Sequence, residues 1–377
     1  MAPATCVMDL RERAKRRVPR AIFDYADRGS YDELTISENR RALDAIKLRQ
    51  KVMVDVSAQQ LSTTLLGQTI AMPLAIAPTG LTGLFHPNGE AHGARAAAKA
   101  GIPFCLSTMS ILSIEDVAEL SGAPFWFQLY VMRDRGFSAS LVERAKAAGC
   151  PALVLTLDLQ VQGQRHRDIK NGLAVPPKLT LSNALDIASK PGWAFGMLGA
   201  RRKSFGNLEE QLKKAGNLAT LSQWIANQFD PSLNWSDVEW VRSLWPGKLI
   251  LKGVMDAEDA KRAVQSGADA IVVSNHGGRQ LDGAASSIEV LQEVVNAVGG
   301  STEVMFDSGV RSGQDVFKAL ALGATSCMIG KAFLWSLASG GEEGVTAALN
   351  FIRKELAVTM ALTGVGDVRQ IDASVLR

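Results

Sequence analysis

The 377-residue chain is 47% hydrophobic and 21% charged, a globular composition able to bury a large core without disulfides or metal staples. A net charge of +3 is too small to imply nucleic acid as a partner, and no run of about 18 apolar residues marks a membrane-spanning helix. The four cysteines (Cys6, Cys105, Cys150, Cys327) form no C-x-x-C pair, and the opening MAPATCVMDLRERAKRR lacks the apolar centre of a secretory signal, so a reducing, cytosol-facing location is expected.

Residues 1–70 read as an extension preceding the main fold. The basic stretch 11–20 reads as a solvated helix face, and DYADRGS at 24–30 can carry Tyr25 over the mouth of whatever follows. Eight short apolar runs then recur, at 73–78, 103–108, 125–130, 152–158, 249–253, 270–277, 304–309 and 326–330. Most are continuous rather than alternating, as parallel strands buried on both faces require. Helical segments such as GEAHGARAAAKAG and SGQDVFKALALGA lie between them and end at glycine. Eight strand–helix repeats predict an α/β chain folded as a (β/α)8 TIM barrel, within a single domain over 1–377. The barrel is placed at 71–335, with a C-terminal helical segment at 336–377.

Between the fourth and fifth runs lies an insertion, 159–248, far longer than an ordinary βα loop. Residues 176–217 are rich in Pro, Gly and basic residues, and 218–244 read as helical. Within it, 193–205 sets Trp193, Phe195, Met197 and Leu198 beside Arg201, Arg202 and Lys203. That mixture suits a membrane interface with anionic lipid; a lid or a subunit contact is the alternative.

Polar residues collect at the C-terminal ends of the runs, the rim that carries the active site in barrel enzymes: Thr79, Ser107, Gln128, Tyr130, Asp158, Lys252, His276 and Asp307. SNHGGRQLD at 274–282 offers His276 as a base, Arg279 as an anion clamp, and two glycines that let backbone approach a ligand. Asp158 shares a strand face with Thr156 and is the expected partner of His276. Arg165 and Arg167 stand nearby at the rim. Lys252 needs an anionic partner, and suits either Schiff-base chemistry or a place beside an electron-accepting ring. The last two runs end in DSGVRSG and IGKAF, where Asp307, Gly309, Arg311, Gly330 and Lys331 suit the usual barrel phosphate site. The four histidines are dispersed, so no metal site is expected. The set suits proton abstraction next to a carboxylate, with a cofactor accepting electrons.

SNHGGRQLDG, WFQLYV, LTLD, LKG and DSGVRSG resemble the FMN-dependent L-2-hydroxy-acid dehydrogenase and oxidase family from about residue 18 to residue 363. RDRGF, ERAKAAGC and NQFDPSLNW are most similar to its bacterial quinone-linked L-lactate dehydrogenases, with mandelate dehydrogenases next. The resemblance implies FMN as cofactor and oxidation of a 2-hydroxy acid, L-lactate foremost. Mandelate, a longer acid, or O2 as acceptor are the alternatives; a flavin-dependent isomerase, a Schiff-base lyase or a catalytically silent barrel stand further off. It implies that His276 removes the α-proton or takes the hydroxyl proton as hydride leaves, supported by Asp158. Tyr25, Arg279, Arg165 and Tyr130 would hold the substrate, and Ser107, Gln128, Thr156 and Lys252 the flavin ring. Asp307, Gly309, Arg311, Gly330 and Lys331 would hold the phosphate. Lys331 stands where the family has arginine, Met109 where glycolate oxidases have tryptophan, and Gly80 where they have alanine. A quinone or other acceptor, contact with the inner face of the cell membrane and a homotetramer are also implied.

Overall fold

A computed structural model describes residues 3–172, 181–209, 211 and 228–377. A small antiparallel hairpin, β1 (Thr63–Leu65) and β2 (Gln68–Ile70), precedes eight parallel strands. These are β3 (Leu74–Ile76), β4 (Cys105–Ser107), β5 (Trp126–Leu129), β6 (Ala152–Thr156), β7 (Lys248–Val254), β8 (Ala270–Val273), β9 (Glu303–Phe306) and β10 (Ser326–Ile329). Each falls on one of the eight apolar runs. The order β3-β10-β9-β8-β7-β6-β5-β4 closes through a parallel bridge from Ile76 to Phe104, so the chain is a (β/α)8 barrel.

Alternation along the strands explains why the runs are continuously apolar. Ala152 and Val154 of β6, Ile250 of β7, Ala270 and Val272 of β8 and Met305 of β9 pack in one buried cluster inside the barrel. Their neighbours Leu153, Leu155, Leu249, Leu251, Ile271 and Val273 belong to the other cluster, against the helices. Continuing the inward phase past each strand end reaches Ser107, Gln128, Tyr130, Thr156, Asp158, Lys252, Asp307 and Gly330. That single geometric rule delivers most of the candidate residues to one rim.

The opposite mouth is stoppered by the hairpin, whose Leu65, Leu66 and Ile70 join the interior cluster. Leu66 N donates to both carboxylate oxygens of Glu303 at the start of β9, at 2.9 and 3.1 Å. The turn places Leu66 at φ +53 and Gly67 at φ +80, a two-residue hairpin geometry that usually takes Asn-Gly. Burial of Leu66 in the barrel floor offsets the strain of a left-handed leucine.

The extension forms helices Val7–Arg17, Arg20–Asp27 and Leu34–Ala45. Val7, Leu10, Ala14 and Val18 repeat at helical spacing and are all buried. Lys15, Arg16 and Arg17 are exposed as expected, but Arg11 is not a solvated charge. Its guanidinium forks onto Asp27 at 2.6 and 2.8 Å and lies over the rings of Phe23 and Trp335. The last helix, Lys331–Thr363, bends at Gly340–Gly341, where Gly341 has φ +60. It packs so tightly on the helix Gly313–Ala321 that a Cβ at Gly313 would overlap Leu356 N and Ile352 O. Gly313→Ala is therefore expected to destabilise the protein by about 1–3 kcal/mol, read as a lowered Tm in thermal melts; an unchanged Tm would contradict this packing.

The insertion contains helices His166–Lys170, Leu181–Ala188, Pro191–Leu198 and Trp235–Leu244, so helical character occurs in both its halves. Of the expected helical stretch 218–244, residues 218–227 lie outside the described residues. The mixture at 193–205 separates into two parts. Phe195 and Leu198 are 73% and 69% exposed, with Leu185 at 65%, whereas Trp193 donates Nε1 to Leu84 O and Phe205 is buried. The adjoining arginines are not free for lipid: Arg201 pairs with Glu119 and Asp116, and Arg202 with Asp116 and Glu209.

Candidate active site

His276 follows β8 with φ +59, a left-handed conformation that is costly for histidine and is found where structure is held for function. Its Nδ1 faces Asp158 at 3.0 and 3.2 Å, which leaves Nε2 for the cleft. Burial lowers the imidazole pKa below its usual value, and outweighs the upward pull of Asp158. Burial works against the charge of Asp158 too, but His276 and Lys252 hold its carboxyl below the ordinary range. A neutral imidazole beside a fixed carboxylate is a base ready to accept a proton and to be stabilised once charged.

Arg165 and Arg279 meet across the same cleft, with Arg165 Nε donating to Arg279 O at 3.3 Å. Burial, with Arg279 next, lowers the Arg165 pKa to about 10. Among the described residues neither guanidinium makes an ion pair, and Arg279 Nη2 is buried without a partner. Asp168 acts on both only at a distance, so two facing cations with no carboxylate in salt-bridge contact have room for an anion. Arg279 also donates to Tyr25 O and Arg28 O, and its guanidinium lies 4.5 Å over the Tyr25 ring. Tyr25 and Tyr130 both line the cleft, and burial, then Asp158, raise the Tyr130 phenol pKa, which keeps it protonated. Arg167 is exposed and takes no part in the cleft.

The anion sought by Lys252 is Asp307: Nζ lies 2.9 Å from its Oδ2 and donates to Ser274 Oγ at 2.7 Å. Burial disfavours the charge, yet Asp307 and Asp158 outweigh it and raise the amine pKa. A firmly protonated lysine is no Schiff-base nucleophile. The Asp307 carboxylate also accepts from Ser308 Oγ at 2.8 Å and lines the cleft with Gly309 and Arg311. Of the two glycines after His276, Gly277 lines the cleft and only Gly278 differs in purpose from what was expected. A Cβ at Gly278 would lie 2.6 Å from Ile36 N, so Gly278 serves the seating of the extension that brings Tyr25.

Several features fit a flavin nucleotide. Gln128 Nε2 and Thr156 Oγ1 are buried polar atoms without partners, and Ser107 Oγ donates to Gln128 Oε1 at 3.0 Å. The cleft holds about 1500 Å3 of open space including its mouth, and Gly309, Arg311, Gly330 and Lys331 line it with Thr156 and Lys252. Gly309 has φ +108, which requires glycine. Arg311 makes no ion pair among the described residues, and burial, then Arg40, lower its pKa, so an anion would relieve it. Lys331 donates to the carbonyls of Ala26, Asp27 and Arg28, and burial lowers its pKa well below normal. The residues therefore fit FMN. A Cβ at Gly80 would stand 3.0 Å from Tyr25 Oη and 3.3 Å from Met109 Cβ, so the absent methyl keeps this corner open.

Two cleft residues, Phe205 and Phe229, had no signal in the sequence. They come from the insertion, far from any strand end.

The sequence model of the FMN-dependent dehydrogenase family matches residues 14–377. The chain belongs to that family. It is 50% identical over 370 residues to an L-lactate dehydrogenase of Caulobacter vibrioides, covering 98% of this chain and 96% of that one. An L-lactate dehydrogenase of Acinetobacter baylyi is 46% identical over the same shares. Among solved structures, the monotopic membrane protein (S)-mandelate dehydrogenase superposes with a TM-score of 0.95 at 38% identity, covering the whole of both chains. A soluble mutant of the membrane-associated (S)-mandelate dehydrogenase from Pseudomonas putida gives 0.85 at 39% identity, covering 100% of this chain and 99% of that one. The family is FMN-dependent, and this member is an oxidoreductase.

Proposed function

We propose that this enzyme oxidises an L-2-hydroxy acid to its 2-oxo acid, with L-lactate to pyruvate as the principal reaction and a membrane quinone as electron acceptor. The observation that carries the reading is the facing pair Arg165 and Arg279, in salt-bridge contact with no carboxylate among the described residues and in the same cleft as His276. The relatives named L-lactate dehydrogenase support lactate over mandelate.

The substrate carboxylate accepts from Arg165 and Arg279, with Tyr25 alongside, and the 2-hydroxyl lies by Tyr130. Bidentate guanidinium contacts fix the acid so that its C2 faces one direction only. Oxidation removes the C2 hydrogen and the hydroxyl hydrogen, two protons and two electrons in all. FMN, when bound, would supply the acceptor for the two electrons and for the proton that His276 does not take. His276 Nε2 takes one proton, either from C2 or from the hydroxyl, and Asp158 stabilises the imidazolium. Ser107, Gln128, Thr156 and Lys252 hold the flavin ring, Lys252 being fixed by Asp307. Gly309, Arg311, Gly330 and Lys331 hold the phosphate end.

Exposed Leu185, Phe195 and Leu198 form the face that would lie on the inner surface of the cell membrane, without the help of Arg201 and Arg202. A structural neighbour described as a monotopic membrane protein supports such an attachment. Phe195→Ser with Leu198→Ser is expected to release the protein from lipid vesicles while reduction of a soluble dye persists; continued sedimentation with vesicles would contradict that face. Exposed Val52, Met53, Val358 and Leu362 offer a face for self-association as a homotetramer. The acceptor is tested by supplying L-lactate with a soluble quinone or with O2. Quinone reduction with stoichiometric pyruvate is expected, and peroxide formation at a comparable rate would make the enzyme an oxidase.

A further inference from the structure

We infer that the insertion between β6 and β7 sets the largest substrate side chain the enzyme accepts, through Phe205 and Phe229. The inference rests on the reading of the site as one for 2-hydroxy acids. Both rings line the cleft that holds His276 and Tyr130, both are buried, and both come from the long connection after β6 rather than from a strand.

Each ring has its own anchor. Behind Phe205, Gly206 N donates to Ile111 O at 2.9 Å, and a Cβ on Gly206 would stand 2.5 Å from Ser113 N. Buried Asn207 then accepts from Ile114 N at 2.9 Å and donates to Ser110 Oγ at 3.0 Å, which locks this end of the insertion to the loop after β4. Phe229 is held by an antiparallel bridge to Met132, by Arg133 N donating to Gln228 O at 2.9 Å, and by Asp230 pairing with Arg135 at 3.0 Å. Its ring stands edge-on to that of Tyr130, with centroids 6.0 Å apart. These contacts fix the backbone that carries each ring at the cleft.

The charged and hydroxyl groups of the cleft are taken up by the carboxylate, the hydroxyl and the departing proton. The substituent on C2 is left to the apolar wall of Leu81, Met109, Leu159, Phe205 and Phe229. A methyl group gains only about 0.8 kcal/mol from burial. Two anchored phenyl rings exceed what a methyl needs, so their effect falls on larger substituents, which they exclude by overlap. The insertion thus adds to the selectivity set by the barrel rim, and shortening either ring opens the site without touching the groups that act on the substrate.

The test compares kcat/KM for L-lactate and L-mandelate in FMN-loaded wild type and in Phe205→Ala, Phe229→Ala, Phe205→Leu and Phe229→Leu. The mandelate-to-lactate ratio is expected to rise about tenfold or more in the alanine variants, and in the same direction in the leucine variants. A purely structural role would lower both constants together and leave the ratio unmoved. A rise above about threefold in any folded variant supports the inference, and a ratio within about threefold of wild type in all folded variants overturns it. The leucine variants keep the test open if the alanine variants do not fold. A wild type that oxidises no 2-hydroxy acid overturns the functional reading and this inference with it, whereas an active wild type with unmoved ratios overturns this inference alone.

Discussion

His276→Gln is expected to keep its yellow flavin and lose about three to four orders of magnitude in turnover with L-lactate, the upper part of the range for removing a general base. The substitution leaves no group at Nε2 able to accept the proton, while Asp158 keeps the longer-range attraction of Lys252. His276→Asn is the companion variant, because asparagine tolerates the positive φ at this position and separates loss of the base from backbone strain. Equal losses in both variants support the assignment, and turnover within about tenfold of wild type would remove His276 from the mechanism. A pH profile sharpens the point. The base must be neutral to act, and burial lowers its pKa despite Asp158. The acid limb of kcat/KM should therefore have its midpoint below 6.5, the ordinary imidazole value. Asp158→Asn removes an attraction that favours imidazolium, so the midpoint should fall further while the plateau drops. An acid limb that moves upward in that variant would contradict the pairing.

The second large effect concerns the anion clamp. Arg279→Met is expected to lower kcat/KM about 100-fold to 10,000-fold, since hydrogen bonds to a charged group contribute about 1.5–3 kcal/mol each and two are lost. Arg279→Lys keeps the charge but not the fork and should fall between wild type and Arg279→Met. The guanidinium also carries the Tyr25 and Arg28 carbonyls, so part of the loss will come through a less firmly seated Tyr25. Binding of an unreactive dicarboxylate, followed by flavin absorbance, separates the two contributions: it should weaken in both variants. Near-normal kcat/KM in Arg279→Met would leave Arg165 as the sole anion partner and overturn the facing-pair reading.

The barrel was legible because its signal is local. Continuous apolar runs mark strands buried on two faces, and the period of two carries the rim residues inward once the strands are placed. His276 with Asp158 followed from that rule and from the chemistry of a histidine among glycines. What was not legible depends on contacts distant in sequence. The hairpin stopper escaped because Leu66 occupies a position where turn chemistry usually shows asparagine, and only the barrel floor explains a leucine there. Nothing along the chain near Lys252 says which carboxylate partners it, and only the fold shows that it is Asp307. Phe205 and Phe229 reach the cleft through anchors to Ile111 and Met132, about a hundred residues earlier, which no periodicity reveals. Arg201 and Arg202 read as free charge in the sequence, and only the fold shows Asp116 and Glu119 beside them.

The most direct measurement is stopped-flow flavin absorbance after anaerobic mixing of the FMN-loaded protein with L-lactate, D-lactate, or L-lactate deuterated at C2. Rapid bleaching by L-lactate alone, slowed by deuterium, is the predicted result, because one C2 hydrogen must face the acceptor when the carboxylate is clamped by Arg165 and Arg279. A yellow protein that no 2-hydroxy acid bleaches would contradict the account.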